Sequence, residues 1–412
     1  MDMTISTIWF GCESPSEIYV DIINAIIEKG HETSPRGMHT YELYRVQTVM
    51  KDPMKRLVLV PNRKINPFFL VAEALWILSG RADAKYITQF NKGLVNFLDK
   101  DSDYFHAPYG ERIRKHYYSE KFGGSHLTCS IKAYLYQIDQ VAAVVETLRK
   151  DPDSRRAVIC LWDPYMDTQE SNDIPCNDMV FFKIRENKLH MTVLNRSNDA
   201  ILGFPVTNLF QFSMLMELIA NLLEVDVGTY CQYSDSLHLY TTQTIMEDVL
   251  AVKYPEWYRA PVLPMKRMSL GSKENTLKNY DDMFLSLIYL VPYLCISDVD
   301  KVFPEEIGSF RDFAFYIRSY LSYKERDYDD AYNSLVQVDD FSMFLAGVEF
   351  MHRAIKNEEG RKRFAIENVW DSLKYRLRAI AAEGKEDQDV YINPELLSSV
   401  EFFLEPKTRH EQ

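Results

Sequence analysis

A chain of 412 residues leaves room for two or three domains of about 100–200 residues each and for a large core. Hydrophobic content of 46% and aromatic content of 13% argue for an ordered globular protein. A net charge of −13 argues against a direct grip on a nucleic-acid backbone, but a few converging arginines would still hold a small phosphorylated ligand. Cysteines 12, 129, 160, 176, 231 and 295 lie far apart without a CxxC pair, so neither a disulfide framework nor a zinc site is expected. The start of the chain lacks a basic, apolar leader. The apolar run at 285–296 is too short to span a bilayer, so a cytoplasmic, non-membrane protein is expected.

Residues 16–30 have helical apolar spacing and a closing glycine. Pro35-Arg36-Gly37 reads as a loop before a strand at 41–49, and 67–80 as a buried helix with a glycine stop. A short apolar strand at 156–162 ends at Asp163-Pro164. Residues 179–194 read as a hairpin turning at Glu186-Asn187-Lys188, followed by a core helix over 209–223 and a strand over 229–240. Strands and helices mixed without strict alternation predict an α/β (α+β) fold with a mixed sheet. Beyond about residue 245 the pattern is helical and charged, as at 310–324 and 365–382, with 264–278 reading as a linker or exposed loop. The predicted division is a catalytic domain over 1–245 and a mainly helical extension over 246–412.

Cys176 follows a proline, and Arg196 lies in Asn195-Arg196-Ser197-Asn198-Asp199 at the far end of the hairpin. The hairpin would fold the two segments together, placing a candidate nucleophile beside a cation that favours its thiolate. Alone, Cys176 reads more readily as a buried small hydrophobe than as a nucleophile, and Arg155-Arg156 more readily as a solvated pair. Glu73 sits among Leu70, Val71, Ala72, Ala74, Leu75 and Trp76, a costly place for a carboxylate that is neither paired nor functional. His238 and Tyr240 share one strand face and read as core polar groups unless they meet a ligand.

Taken in order, these pieces resemble the thymidylate synthase superfamily, which includes enzymes that methylate dUMP and relatives that hydroxymethylate pyrimidine nucleotides. The matching runs are Pro35-Arg36-Gly37, Ala72-Glu73-Ala74-Leu75-Trp76-Ile77-Leu78-Ser79-Gly80 and Ala107-Pro108-Tyr109-Gly110-Glu111-Arg112. Ser154-Arg155-Arg156, Trp162-Asp163-Pro164, Pro175-Cys176 and Arg196-Ser197-Asn198-Asp199 follow, then Leu202-Gly203-Phe204-Pro205, Asn208 and Ser236-Leu237-His238-Leu239-Tyr240. The resemblance covers residues 15–245. It implies that Cys176 adds to C6 of the pyrimidine, making C5 nucleophilic toward 5,10-methylenetetrahydrofolate. It also implies a 5′-phosphate held by Arg196, Ser197 and Arg36, with Arg155 and Arg156 reaching in trans from the other subunit of a homodimer. Glu73 would organise water and proton transfer, Tyr109 would help remove the C5 proton, and Asp199 would contact the folate. Asn208 would read the base edge, and His238 and Tyr240 the sugar hydroxyl.

The chain departs from the methylating pattern in the region of Phe90-Asn91-Lys92-Gly93-Leu94-Val95-Asn96-Phe97-Leu98-Asp99. Methylating members carry two tryptophans there, which shield the exocyclic methylene from water. Asn177 stands where they have histidine, Val206-Thr207 adds one residue before Asn208, and the end at 407–412 lacks their short apolar tail. The expected activity is therefore folate-dependent hydroxymethylation at C5 of dUMP, dCMP or CMP. A dUMP-methylating synthase and a non-catalytic nucleotide-binding module remain the alternatives.

Overall fold

The computed structural model describes residues 8–117, 137–256, 258–382 and 394–406. The start of the chain, Cys129 and the end at 407–412 lie outside the described residues. The centre is a mixed eight-stranded sheet built from β1 (Ile8–Cys12), β2 (His31–Thr33), β3 (Thr40–Met50), β4 (Val158–Cys160), β5 (Asn177–Arg185), β6 (Lys188–Asn195), β7 (Asn198–Asp199) and β8 (Asp226–Tyr240). The order is β1-β3-β8-β6-β5-β4, with β2 beside β3 and β7 beside β8. Pairs β1/β3, β8/β6 and β8/β7 are parallel and the rest antiparallel, which is the mixed sheet expected.

The β5–β6 hairpin turns at Glu186 and Asn187, whose φ values of 51° and 56° put both in the left-handed region, the geometry by which a two-residue connection matches the right-handed twist of its strands. Its register brings Asn177 opposite Asn195, so the residues after Cys176 and before Arg196 face each other. The period of two divides each strand between faces. Leu189, Met191 and Val193 of β6 are buried, as are Val180 and Phe182 of β5 and Tyr230 of β8. Helices α1 (Pro15–Lys29), α4 (Gln140–Lys150) and α5 (Asn208–Leu223) pack on the sheet. On the other face Val49, Cys231, Tyr233, Leu194, Thr192, Phe181 and Met179 stay only half-buried. Pairing register makes them one continuous patch.

Helix α2 (Pro67–Leu78) starts where Asn66 accepts a hydrogen bond from the Phe69 amide at 3.2 Å, with Pro67 in the first turn. Every residue of α2 except Glu73 is buried. Helix α5 is buried nearly all round. The stretch Gly203–Leu223 is apolar and long enough to cross a membrane, but 78% of its apolar window is inside the protein, as a core helix should be.

The later helices close over α2. These are α6 (Leu277–Tyr289), α7 (Ser309–Glu325) and α8 (Phe341–Ala354), with α9 (Ile366–Ala382) packed on α8 and several shorter ones between. Phe68 of α2 stacks on Tyr316 at 4.1 Å between ring centres and meets Phe350 edge-on at 5.3 Å. Arg114, at the end of the short helix α3 (Tyr109–Arg114), makes a two-pronged bond to Asp281 at 2.7 and 2.8 Å. Residues 264–270 correct the expectation of a linker or exposed loop, which fits only 271–275. Met265, Met268 and Leu270 are buried, while Lys266 and Arg267 face outward. Glu217 of α5 accepts the Met268 amide at 2.6 Å, and Asp340 accepts the Lys266 amide at 2.8 Å. The charged residues of that segment had concealed the apolar side chains that tie it down.

Candidate active site

The hairpin places Cys176 at the mouth of β5 and Arg196 at the end of β6, with Arg196 Nη2 4.0 Å from the Cys176 sulfur. Arg196 is held by the carbonyls of Pro175 (2.8 Å) and Ile174 (3.2 Å), and its guanidinium lies 5.8 Å from the centre of the Trp162 ring. Burial pushes the Cys176 thiol above its ordinary range; Arg196 and Arg36 pull it down, while Asp173 and Asp178 add to the rise. The cation therefore offsets burial without overcoming it, and the thiol is the resting form.

Tyr109 is drawn against Cys176. Its oxygen accepts the backbone amides of Cys176 (3.2 Å) and Asn177 (3.3 Å) and the side-chain amide of Asn177 (2.8 Å). The segment carrying Tyr109 is tied to the cysteine loop by further bonds. Asp173 accepts the Ala107 amide at 2.8 Å, and Arg112 grips Asp167 at 2.6 and 2.7 Å. Asp99 accepts Ser171 at 2.9 and 3.0 Å.

Glu73 keeps a sliver of solvent contact within its apolar helix, and burial pushes its carboxyl up to about 8. Gln211, on α5, donates to it and is the one group that pulls it back. Sequence reasoning missed Gln211, although the same signal that marked Glu73, a polar residue between Phe210 and Phe212, was available. Gln211 stands one turn after Asn208, so the two amides share a helix face.

The extra residue before Asn208 is absorbed in a π-type turn over Gly203–Thr207, where the Thr207 amide bonds the Leu202 carbonyl at 3.3 Å. Asn208 thus still begins the helix, and its Nδ2 donates to Asn198 Oδ1 at 3.0 Å. Asn198 in turn donates to Ser234 at 3.3 Å, which fixes both amide orientations. Asp199 accepts the amides of Ile201 (2.6 Å) and Leu202 (3.2 Å) on one oxygen and Gln243 (2.8 Å) on the other. Gln243 is a second residue that sequence reasoning did not single out.

His238 packs edge-on to Tyr240 at 5.0 Å and lies 3.4 Å from the Ser197 hydroxyl; burial lowers its pKa. Arg36 is exposed, in the left-handed region at φ 54°, and its charge reaches both Cys176 and His238. Arg155 and Arg156 are different. They are exposed ahead of β4, whose register sets them near Lys183, roughly 20 Å along β5 from Cys176 at about 3.3 Å per residue. One chain does not bring them to Cys176. Among the described residues no group of His, Cys, Asp or Glu has the arrangement of a metal site.

The segment lacking tryptophan forms a short 3-10 helix over Lys92–Phe97, with Val95 and Phe97 about half exposed. It is anchored through the Phe90 carbonyl, which accepts from Asn66 (3.0 Å) and Tyr320 (3.2 Å).

The chain is 39% identical over 249 residues to a deoxyuridylate hydroxymethyltransferase of Bacillus phage SP01, covering 59% of this chain and 62% of that protein. It is 34% identical over 197 residues to a deoxyuridylate hydroxymethyltransferase of Pseudomonas phage M6, covering 47% and 50%. The chain thus spans half to three fifths of the length of these two relatives. A thymidylate synthase of Francisella philomiragia subsp. philomiragia is 28% identical over 235 residues, covering 54% of this chain and 79% of that protein. The thymidylate synthase family model matches residues 17–293, a span that holds the whole cluster from Arg36 to Tyr240 together with the sheet that carries it. By that match, and by the mixed sheet that sets Cys176 against Arg196 and Tyr109, the chain belongs to the thymidylate synthase family.

Proposed function

We propose that this protein is a one-carbon transferase that hydroxymethylates C5 of a pyrimidine nucleoside 5′-monophosphate, with dUMP the foremost substrate among dUMP, dCMP and CMP. The observation that carries the reading is the convergence of Cys176, Arg196 and Tyr109 in one corner, since a binding module needs no thiol between a guanidinium and a phenol. Arg196, with Arg36 and Ser197, would hold the phosphate, and the approach of that dianion is matched by the fork of guanidinium donors. Cys176 would lose its proton and add to C6, leaving C5 as the nucleophile. His238 and Tyr240 would meet the sugar hydroxyl.

Bound 5,10-methylenetetrahydrofolate would supply the one-carbon electrophile. Asp199 fits a ring N–H donor, because three amide hydrogens occupy its oxygens and a fourth lone pair is left. Leu202 beside it is 57% exposed and offers a flat apolar surface. With a carboxyl at about 8, Glu73 carries its proton at neutral pH and would place a water near the C5 substituent.

Two features favour the hydroxymethyl product over the methyl one. The segment at 90–99 has no tryptophan to keep water from the exocyclic methylene. The first two relatives bear the hydroxymethyltransferase name. For the base, an amide free to rotate would read uracil or cytosine equally. The bond to Asn198 locks Asn208 in one orientation, and the relatives' names point to uracil.

A homodimer is part of the reading. The half-buried apolar patch on the sheet is suited to a second copy, and Arg155 and Arg156 have no ion-pair partner among the described residues. A facing subunit would give both arginines a phosphate to bind. Residues to 245 would carry the chemistry, and the helices after them would brace α2.

The test is incubation with methylenetetrahydrofolate and each of dUMP, dCMP, UMP and CMP, reading product mass and dihydrofolate. The expected result is 5-hydroxymethyl-dUMP without dihydrofolate. A methylated product with dihydrofolate would make the protein a synthase, and no product from any of the four would overturn the enzymatic reading.

A further inference from the structure

Behind Cys176 runs a chain of side chains that ends on Tyr109 and whose other members have no part in the proposed reaction. The Tyr230 hydroxyl donates to Gln232, Gln232 donates to Asn195 at 2.8 Å, Asn195 donates to Asn177, and Asn177 donates to Tyr109 at 2.8 Å. Every link is buried or nearly so: Tyr230, Gln232, Asn195 and Asn177 are at most 2% exposed. Water has no access to break the sequence, and each amide is fixed in orientation by its two neighbours.

The chain ends on an oxygen that is already crowded. A phenol oxygen has two lone pairs, and three N–H groups point at that of Tyr109. The Asn177 side chain makes the shortest of the three contacts, at 2.8 Å against 3.2 and 3.3 Å. With its acceptor capacity filled, the phenol can only use its own hydrogen as a donor, directed away from these amides. Resting on the reading of this site as a C5-substituting enzyme, we propose that Asn177 is a positioning residue that fixes the direction of the Tyr109 hydroxyl and thereby the water that receives the C5 proton. In that step the C5–H bond breaks and its electron pair forms the C5–methylene double bond as the bond to the folate nitrogen breaks. The proton passes to the water held by Tyr109, and from there to solvent.

Asn177→Asp keeps the shape and reverses the polarity. A carboxylate there accepts the Tyr109 hydrogen and turns it away from the substrate. Asn177→Leu keeps the volume and removes the donor without offering an acceptor, and serves if the carboxylate prevents folding. Two readouts separate positioning from structure. Release of tritium from C5 of [5-³H]dUMP reports proton loss. Covalent capture of 5-fluoro-dUMP with methylenetetrahydrofolate reports every step before it, because that analogue has no C5 proton to lose. The expected result for Asn177→Asp is tritium release lowered about 100-fold at saturating nucleotide, in line with the usual worth of a positioned proton acceptor. KM and capture of the fluoro analogue should stay within about threefold, since those steps do not involve the proton-transfer group. Asn177→Leu should lose less than Asn177→Asp. Unchanged tritium release in either folded variant overturns the proposal, as does capture falling in parallel with release, which would make Asn177 merely structural. No tritium release by the unaltered protein would overturn the reading of the site itself, and this proposal with it.

Discussion

Glu73 is the group whose protonation the fold controls most directly, and Glu73→Gln exposes that control without any substrate. Burial moves its carboxyl from the ordinary 4.5 up to about 8, with Gln211 opposing. Between those values the native protein holds a proton that the unfolded chain releases. Stability must therefore fall as pH rises through that window, and the full cost is present above about pH 8. At 1.36 kcal/mol per pH unit the ceiling on that cost is about 5 kcal/mol. Some solvent contact at Glu73 trims it, and we expect at least about 2 kcal/mol to remain. Glutamine has the same shape, still accepts from Gln211, and does not ionise. Urea unfolding of both proteins at pH 5 and pH 9 reads the difference. The variant's advantage should grow by at least about 2 kcal/mol between the two, through the midpoint and not the slope. Equal advantages at pH 5 and pH 9 would refute the claim that burial holds Glu73 protonated.

Cys176→Ala should abolish turnover while calorimetric binding of dUMP stays within about threefold, because the thiol contributes a bond made only during reaction. Arg196→Ala should lose turnover and weaken dUMP binding about 100-fold, as expected for a charge-assisted bond to phosphate, and unchanged affinity would remove Arg196 from the phosphate site. Mixing inactive Cys176→Ala with inactive Arg156→Ala should restore about a quarter of the activity by forming one intact site per mixed dimer; no recovery would place both residues in one chain's site. Glu217→Gln should cost about 3 kcal/mol in urea unfolding, because it leaves Arg56, only 1% exposed and 2.7 Å from Glu217, without its counter-charge.

The parts of this site that the sequence made legible were those with local grammar. The hairpin between Cys176 and Arg196 was readable from alternation and a turn, and its register alone brings the two within 4.0 Å. Glu73 announced itself as a carboxylate in an apolar helix, and the structure sets it, half-buried, among neighbours that are all buried. The partners of Gln211, Gln243, Gln232 and Asn195 were not legible, for a different reason. Each acts through a partner 18 to 138 residues away, and an amide in a core helix or strand gives no sign of which distant group it will meet. The 264–270 segment failed for a related reason. Its lysine and arginine read as solvent, while the hydrogen bonds to Glu217 and Asp340 that hold Met265 and Met268 inward depend on elements 51 and 74 residues away.

The bracing of α2 has a consequence for how the protein comes into being. The helix that carries Glu73 is among the first made, yet the ring that stacks on Phe68 belongs to Tyr316 and the one that caps it to Phe350. A nascent chain emerging from the ribosome therefore carries one of its most apolar helices uncovered until nearly all of it has been translated. A prematurely terminated product would keep Phe68 and its apolar neighbours but lack the rings that cover them.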